Sequence, residues 1–185
     1  MSAAEFADFR QLVLALRHDQ SLPYNSHGWV LTEDLQKRPH FHHFDKDFVR
    51  YLDEVIGNPR LEVTPDGRAV RATNGHTIHI SDEGLLTPIT DASQVPYCVH
   101  GTTRDVIKKI KLYGLHRMDR HYIHFASHPD DVKRNSEVLI HLDVAKYLRR
   151  NPGKLFYTRS SNIVTMGNKF GYVKPCFFRT MELLY

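Results

Sequence analysis

The stretch "LEVTPDGRAVRAT" (residues 61–73) has the pattern of a β-hairpin. Two strand-like runs flank "PDG", and tight turns favour proline, aspartate and glycine. Alternation along the second run predicts that Val70 and Ala72 share one face and that Arg71 lies on the other. Gly75 then permits a tight turn before His76. We therefore predict a hairpin whose second strand carries a buried face and an arginine.

Three helices and one short strand are predicted upstream of this hairpin. The first helix lies within "AEFADFRQLVLALRHD" and has an apolar face, made of Phe6, Phe9, Leu12, Val13 and Leu16. A short strand, "GWVLT", follows, and Thr32 is expected to cap a helix over 33–38. Asp45 is expected to cap a third helix over 46–58. A winged-helix module has this order of helix, strand, helix, helix and hairpin. We predict such a module over 1–82.

The second half of the chain has a different pattern. Residues 83–95 are polar and contain proline, so we predict a linker there. Beyond it, over 96–185, two helices are predicted, one over 104–114 and one over 145–151. Strand-like runs outnumber these helices. Thr102 or Thr103 is expected to cap the first of these helices, and Gly114 to end it. The sequence thus predicts an α+β protein with a second, strand-rich lobe.

Composition restricts the class of protein without identifying it. The 185 residues are 41% hydrophobic and 25% charged, with a formal charge of +4, as in a soluble globular protein with a mild preference for anions. Cys98 and Cys176 lie in apolar runs and form no CxxC pair, so we expect two buried, reduced thiols. No run approaches the length of a membrane span, and no signal core is present. We expect a monomeric, cytoplasmic protein that makes no membrane contact.

Thirteen histidines raise the question of a metal site. They cluster in "PHFHHFD" (residues 39–45) and in "HRMDRHYIH" (residues 116–124). Neither cluster contains HExxH or a triad completed by a carboxylate. We therefore expect no metal, and we expect solvated or structural roles for His40, His42, His43, His116 and His121.

Other side chains have patterns suited to an anionic ligand. Arg17 and His18 end the first helix, where positive charge is favourable whether or not a ligand binds. "VHGT" (residues 99–102) leads from a strand into a helix, whose N-terminus favours anions. In an extended strand, Arg120, Tyr122 and His124 would share one face. That combination suits a charged, stackable ligand better than a metal, although an outward polar face has the same pattern.

Taken together, these segments resemble the RNA 2′-phosphotransferases, the NAD-dependent enzymes that complete some tRNA splicing reactions. The resemblance spans nearly the whole chain and rests on the order and spacing of its motifs. Five motifs occur in the order of the family: "LRH" at 16–18, "RATNGH" at 71–76, "VHGT" at 99–102, "GLHRMDRHYIHFA" at 114–126 and "RSSNIV" at 159–164.

The resemblance implies a fold and a reaction. The first lobe is expected to be a winged helix that binds RNA, and the second an ADP-ribosyltransferase-like lobe that binds NAD. An internal RNA 2′-phosphate would attack the nicotinamide ribose and expel nicotinamide. The ribose 2″-hydroxyl would then attack phosphorus. The products would be RNA with a 2′-hydroxyl and ADP-ribose 1″,2″-cyclic phosphate, with no metal required.

The resemblance also assigns residues to roles. The catalytic set of the family falls on Arg17, His18, Arg71 and Arg120. The arginines would hold phosphate charge, and His18 would move a proton in the second step. The expected NAD contacts are His100, Gly101, Thr102, His124, Ser160 and Asn162.

The chain departs from the family pattern in three places. Thr73 and Asn74 replace an Asn-Gln pair, which would change contacts of the RNA lobe. Tyr122 replaces a histidine on the NAD side, and a phenol can still stack or donate a hydrogen bond. Ile163 occupies a glycine position, so the backbone is expected to approach the dinucleotide less closely there.

Two other functions fit much of the same pattern. One is an ADP-ribosyltransferase that modifies nucleic-acid phosphate ends and stops after the first step. The other is a non-catalytic winged-helix protein that binds nucleic acid. His18 together with three arginines favours the full reaction.

Overall fold

The computed structural model describes residues 2–57, 60–81 and 84–184. The chain forms two compact units, Met1–Leu85 and Leu86–Tyr185. The described residues contain α-helices and several antiparallel sheets, which confirms the α+β class. The boundary expected at 82/83 lies outside the described residues. None of the described helices is long and apolar enough to span a bilayer.

The first unit contains three α-helices and a small antiparallel sheet. In chain order these are α1 (Ala3–His18), β1 (Val30–Leu31), α2 (Thr32–Gln36), α3 (Lys46–Ile56), β2 (Leu61–Val63) and β3 (Ala69–Ala72). The strand order in the sheet is β1-β3-β2. The predicted order of elements over this unit is confirmed, and the predicted end of α3 at Asn58 lies outside the described residues.

Helix α1 begins and packs as its sequence predicts. Ser2 and Glu5 form a capping box, which satisfies backbone N–H groups that have no partner within the helix. The buried residues of the helix lie on the predicted face: Phe9, Leu12, Val13 and Leu16. Phe6, expected on that face, is 47% exposed, because the packed stripe begins one turn later.

The two expected N-caps of α2 and α3 had different outcomes. Asp45 caps α3, and its Oδ1 accepts a hydrogen bond of 2.8 Å from the Phe48 N–H. Thr32 was wrongly predicted to cap α2. It is the first residue of the helix, it is buried, and its hydroxyl donates to the Gly67 carbonyl at 2.6 Å. The hydroxyl thus joins the helix to the hairpin turn, a tertiary contact that spacing cannot predict.

The predicted hairpin is present as β2 and β3. The register pairs Glu62 with Arg71 and Val63 with Val70. Gly67 in the turn has φ +72°, and a Cβ there would lie 2.3 Å from the Lys46 carbonyl oxygen. The glycine therefore allows both the left-handed turn and the close approach of α3.

The second unit contains more strands than helices. Its strands are β4 (Leu86–Pro88), β5 (Val99–Thr102), β6 (Leu115–His116), β7 (Ile123–Phe125), β8 (Val138–Leu142), β9 (Phe156–Thr158), β10 (Ile163–Thr165), β11 (Tyr172–Val173) and β12 (Phe178–Leu183). Its helices are α4 (Ile107–Tyr113) and α5 (Val144–Arg150). The strands form sheets ordered β4-β9-β10-β7, β12-β8-β5 and β11-β6. Ile140, Tyr147, Leu155 and Ile163 lie in one buried cluster among these elements.

The segment expected to be a linker belongs in large part to the second unit. Strand β4 pairs with β9, and a 3₁₀ turn follows at Ala92–Gln94. Ile89 and Val95 are buried in the core of this unit. These two apolar side chains are the physical reason that a polar, proline-containing stretch packs here.

Two further local expectations were wrong. Helix α4 begins at Ile107 and has no side-chain cap, and the Thr103 hydroxyl bonds to Asp105 instead. Cys98 is buried, as expected, but Cys176 is exposed, because it lies in a short 3₁₀ turn at the surface. Gly114 ends α4, as predicted, with φ +103°.

We expect the Asp45→Ala substitution to lower the free energy of unfolding by about 1 kcal/mol, the usual effect of losing an N-cap. Asp47→Ala is the matched control, since Asp47 lies in the same first turn but is exposed and caps nothing in α3. Urea denaturation of both variants measures the difference. Equal losses in the two variants would show that the Asp45 cap does not stabilise α3.

Candidate functional site

In the first unit, the segment that follows β3 returns to the C-terminal end of α1. The Arg17 Nη2 donates to the Asn74 Oδ1 at 2.6 Å, and the His18 Nδ1 lies 3.1 Å from the Thr77 Oγ1. The Thr77 N–H also donates to the Arg17 carbonyl at 3.0 Å. Arg17 is half-buried and His18 is exposed. Asn74 in "RATNGH" therefore holds the Arg17 side chain, and Thr77, the residue after the motif, contacts His18.

Gly75 makes this return possible. It has φ +77°, and a Cβ at this position would lie 3.2 Å from the Arg17 Cζ. Any other residue would be strained and would crowd the guanidinium. The turn predicted at this glycine thus lets the chain pass close to Arg17.

Arg71 is buried, although strand alternation predicted that it would lie on the face opposite the core. It is 6% exposed, and Val70 and Ala72 are buried as well. Its Nε and Nη2 lie 2.8 Å and 2.7 Å from the Glu62 carboxylate. Its guanidinium also lies 4.6 Å from the centroid of the Trp29 ring. Glu62 and Trp29 therefore enclose the polar face of β3.

These neighbours of Arg71 were missed in the sequence. Glu62 is the cross-strand partner of Arg71, and its identity depends on the hairpin register. The Arg71 Nη1 also donates to the His27 carbonyl at 3.2 Å. A guanidinium bound by a carboxylate, a carbonyl and an aromatic face has a fixed orientation, because its planar fork matches several acceptors at once.

In the second unit, His100 on β5 is joined to His124 on β7. The His100 Nδ1 lies 2.9 Å from the His124 carbonyl oxygen. Because a carbonyl can only accept, Nδ1 carries the proton and donates it. Burial lowers the pKa of His100, the hydrogen bond to His124 opposes that shift, and the positive charges of Lys133 and Arg120 lower the pKa further. His100 is therefore a neutral imidazole whose Nε2 can accept a hydrogen bond.

His100 also lines a cavity of about 430 Å³. Its other walls include Lys109, Tyr113, His116 and Tyr172. The rings of His116 and Tyr172 lie 4.3 Å apart. A concave site with aromatic walls, a few polar groups and a cation has the size and character of a small-molecule site. Apart from the "VHGT" motif and the basic stretch 114–126, no sequence pattern pointed to these walls.

Gly101 and Thr102 continue β5 beyond His100. A Cβ on Gly101 would lie 2.2 Å from the Ser136 Oγ and 3.0 Å from the Ser136 Cβ, so a larger residue here would displace the Ser136 side chain. The Thr102 carbonyl accepts the Glu137 N–H at 2.8 Å. The glycine of "VHGT" thus allows this loop to pack closely on β5.

Arg120 lies in a turn and not on a strand, so the predicted shared face of residues 120, 122 and 124 is wrong. Strand β7 begins only at Ile123. The turn is held by a hydrogen bond of 2.8 Å from the Arg117 Nη1 to the Arg120 carbonyl. The Arg120 N–H donates to the Arg117 carbonyl at 3.2 Å, and Met118 in the same turn has φ +55°. The Arg120 side chain is exposed.

Ser160 and Asn162 lie in the turn between β9 and β10. The Ser160 Oγ lies 3.0 Å from the Thr158 Oγ1 and 3.1 Å from the Asn162 Nδ2. Ser161 between them has φ +59°. Ile163, at the position where a glycine was expected from the resemblance, is fully buried on β10 opposite Phe125.

Among residues 2–57, 60–81 and 84–184, no three histidine, cysteine or acidic side chains are placed to hold a metal ion. The "PHFHHFD" cluster has local contacts instead. His42 Nδ1 lies 2.7 Å from the Pro39 carbonyl, and His43 Nε2 lies 3.3 Å from the Asp8 carboxylate. His43 also packs edge-on against Phe44.

Comparison with known proteins agrees with the sequence motifs. The family model described as "RNA 2′-phosphotransferase, Tpt1 / KptA family" matches residues 8–167. A probable RNA 2′-phosphotransferase of Rhizobium rhizogenes is 30% identical over 164 residues, which is 86% of this chain and 85% of the relative. The tRNA 2′-phosphotransferase 1 of Mus musculus is 30% identical over 92% of this chain and 74% of its own length. That of Danio rerio is 27% identical over 95% and 84%, respectively.

The chain is therefore an enzyme of the phosphotransferase class. More specifically, it belongs to the RNA 2′-phosphotransferase family, because the family model covers most of its length. The resemblance noted in the sequence is confirmed at this level.

We expect Glu62→Gln to lower the free energy of unfolding by about 1–2 kcal/mol. Hydrogen bonds to charged groups contribute ~1.5–3 kcal/mol, and glutamine keeps one acceptor for Arg71. Glu54→Gln is the control, because Glu54 is exposed and lies 3.8 Å from Arg50 at the surface. Chemical denaturation provides the measurement. If both variants are equally stable, the Arg71–Glu62 pair does not stabilise the first unit.

We expect a pH-dependent part of stability to disappear in His100→Asn. Because the pKa of His100 is lowered from 6.5 in the folded protein, the unfolded chain takes up a proton first as pH falls below 6.5. Stability contributed at this position is thus present at neutral pH and is lost on acidification. Asparagine can still donate to the His124 carbonyl but does not titrate.

The measurement is urea unfolding at pH 7.5 and pH 5.5, with exposed His128→Asn as the control. The wild-type protein and the control should lose more stability between the two pH values than His100→Asn. An equal loss in all three proteins would show that His100 is not the group responsible.

Proposed function

We propose that this enzyme removes an internal 2′-phosphate from RNA, with tRNA as the substrate class, and consumes NAD in doing so. The observation that carries this proposal is the family match over residues 8–167. Curated relatives that match most of this chain are named as RNA or tRNA 2′-phosphotransferases. The mild positive charge of the chain is compatible with a polyanionic substrate.

We assign the first unit as a winged-helix lobe that binds RNA and the second as an ADP-ribosyltransferase-like lobe that binds NAD. The order of α1, β1, α2, α3 and the β2–β3 hairpin supports the first assignment. The strand-rich second unit, with "VHGT" on β5, supports the second.

The cavity beside His100 is our candidate NAD site. Its aromatic walls suit a base, and Lys109 supplies positive charge for a pyrophosphate. The neutral His100 imidazole offers Nε2 as an acceptor for a ribose hydroxyl. We assign Gly101, Thr102 and His124, on the strands next to this histidine, as further contacts, and Ser160 and Asn162 as more peripheral ones.

The proposed reaction has two steps. In the first, a 2′-phosphate oxygen attacks the anomeric carbon of the nicotinamide ribose, and the bond from that carbon to nicotinamide breaks. In the second, the ribose 2″-hydroxyl attacks phosphorus, and the bond from phosphorus to the RNA 2′-oxygen breaks. The proton lost by the 2″-hydroxyl is balanced by the proton gained by the RNA 2′-oxygen. The nucleophile of the first step is already an anion and needs no strong base.

We propose that three guanidiniums, those of Arg17, Arg71 and Arg120, stabilise the phosphate charge. A guanidinium stays charged at every relevant pH and binds two phosphate oxygens in parallel. Arg17 is held by Asn74 and Arg71 by Glu62, so both are oriented without the substrate. His18 is the member of the set that can transfer a proton near neutral pH, and we assign it to the second step.

The proposal is tested with a short RNA that carries one internal 2′-phosphate, incubated with the enzyme, NAD and EDTA. Gel electrophoresis follows the RNA, and mass spectrometry follows the small molecules. We expect loss of the phosphate, together with nicotinamide and ADP-ribose 1″,2″-cyclic phosphate. RNA that gains ADP-ribose and stops would favour a transferase that modifies phosphate ends. RNA binding without any NAD-dependent change would overturn the enzymatic proposal.

Variants test the assigned roles. Arg120→Ala should lower the rate by about 100-fold or more, the usual effect of removing one group that stabilises transition-state charge.

His18→Ala should accumulate ADP-ribosylated RNA, because the first step needs no proton transfer to the phosphate. Arg10→Ala is the control, since Arg10 is exposed on α1. A wild-type rate in Arg120→Ala would contradict its role.

A further inference from the structure

A basic surface with exposed apolar side chains lies in the second unit, on residues to which the reaction gives no role. It lines a cavity of about 340 Å³, whose walls include Arg117, Lys154, Phe156, Met166 and Lys169. We call this set, together with the adjacent Phe170, the 166–171 loop surface. Lys154 and Lys169 are exposed, and both belong to the cavity wall.

The 166–171 loop is built so that it presents apolar side chains to solvent. The Asn168 Oδ1 accepts the N–H groups of Phe170 and Tyr172 at 2.9 Å and 3.1 Å, which closes the loop. In this closed loop, Met166 is 56% exposed and Phe170 is 66% exposed. The Lys169 Nζ lies 5.0 Å from the Phe170 ring centroid. The loop thus presents a cation and an exposed aromatic ring side by side at the surface.

This surface is connected directly to the turn that carries Arg120. Arg117 lines the cavity, and its Nη1 donates to the Arg120 carbonyl at 2.8 Å. The Arg117 N–H donates to the Gly171 carbonyl at 3.0 Å. A Cβ on Gly171 would lie 2.8 Å from the Arg117 Nε, so the arginine lies flat across the loop. One side chain thus joins the loop to a proposed phosphate-binding residue.

Charge and shape together select a class of ligand. Arg117, Lys154 and Lys169 offer three cations, which suit a chain of phosphates. Phe156, Met166 and Phe170 offer apolar surface on which a base can stack. Cations beside an exposed aromatic ring, here Phe170, are typical of proteins that bind single-stranded nucleic acid. An acidic peptide would use the cations but not the ring.

We propose that the 166–171 loop surface binds nucleotides that flank the 2′-phosphate in an unpaired segment of the RNA. One base stacks on the apolar side chains, and neighbouring phosphates contact Lys154, Lys169 and Arg117. Because Arg117 holds the Arg120 turn, the flanking nucleotides lie next to the residue that is proposed to bind the 2′-phosphate. This inference rests on the proposed RNA substrate and adds a second RNA contact, in the unit assigned to NAD.

The test is fluorescence anisotropy with a labelled ten-nucleotide single-stranded RNA that carries one internal 2′-phosphate, measured without NAD. Phe170→Ala should weaken binding by about 5-fold or more, and Phe170→Tyr should not, because a stacked base depends on the ring. The double variant Lys154→Gln, Lys169→Gln should weaken binding and lower the slope of log affinity against log salt. The expected change in slope is about 0.7 for each lost phosphate contact.

The matched control is the double variant Arg134→Gln, Arg179→Gln, which removes two exposed cations elsewhere in the same unit. Affinity in the control should stay within about 2-fold of wild type, since it removes charge but none of the proposed contacts. If the loop variants behave like this control, or if the wild-type protein does not bind the RNA, the inference is overturned. Polyglutamate competes for the cations but not for the ring. If it displaces the RNA equally well from the wild-type protein and from Phe170→Ala, the inference is also overturned.

Parallel assays of NAD-dependent phosphate removal separate this inference from the proposed function. If the wild-type protein removes the phosphate and the loop variants bind RNA normally, the proposed function stands and the proposed RNA-binding surface is overturned. A wild-type protein that removes no phosphate, but whose RNA binding is lost in the loop variants, would support the surface as a nucleic-acid site. It would overturn the catalytic proposal alone.

Discussion

The join between β5 and β7 is the constraint on which the second unit depends. It consists of the hydrogen bond from His100 Nδ1 to the His124 carbonyl and two backbone bonds between Val99 and Ala126, of 3.1 Å and 2.7 Å. These contacts connect the β12-β8-β5 sheet to the β4-β9-β10-β7 sheet. The hydrogen bond to the His124 carbonyl also fixes the tautomer of His100, since a carbonyl partner requires a protonated Nδ1. The cavity beside His100 and the turn that carries Arg120 are both attached to these two strands.

In the first unit, a buried charged residue, Arg71, is held by polar and aromatic neighbours. Arg71 is 6% exposed, and burying its charge without partners would cost much free energy. The Glu62 carboxylate and the His27 carbonyl accept its hydrogen bonds, and the Trp29 ring packs against its guanidinium. The same strand continues into the segment that holds Arg17 through Asn74. Arg17 and Arg71, two of the three candidate phosphate-binding residues, are thus oriented by the protein before a ligand arrives. Preorganised charge of this kind is effective in catalysis, because it requires little rearrangement during the reaction.

Several predictions failed where tertiary contacts outweighed local preference. Thr32 was expected to cap a helix, but its hydroxyl reaches the Gly67 carbonyl in a turn far along the chain. The polar 83–95 stretch was expected to be a linker, but it contributes β4 to a sheet because Ile89 and Val95 enter the core. The alternation argument for Arg120 required an extended strand, but Arg120 closes a turn in which its N–H donates to the Arg117 carbonyl at 3.2 Å. In the first two cases the deciding partner is distant in sequence.

The sequence by itself determined the α+β class, the order of elements in the first unit, the hairpin around "PDG", the Asp45 cap and the family. Those features depend on periodicity, turn chemistry and motif order, which are local properties of the chain. Only the tertiary structure decided which side chains surround the candidate residues: Glu62 and Trp29 at Arg71, Asn74 at Arg17, and Tyr172 and His116 beside His100. The reason is physical, because cross-strand register and the packing of loops set these neighbours, and neither is encoded in any one segment.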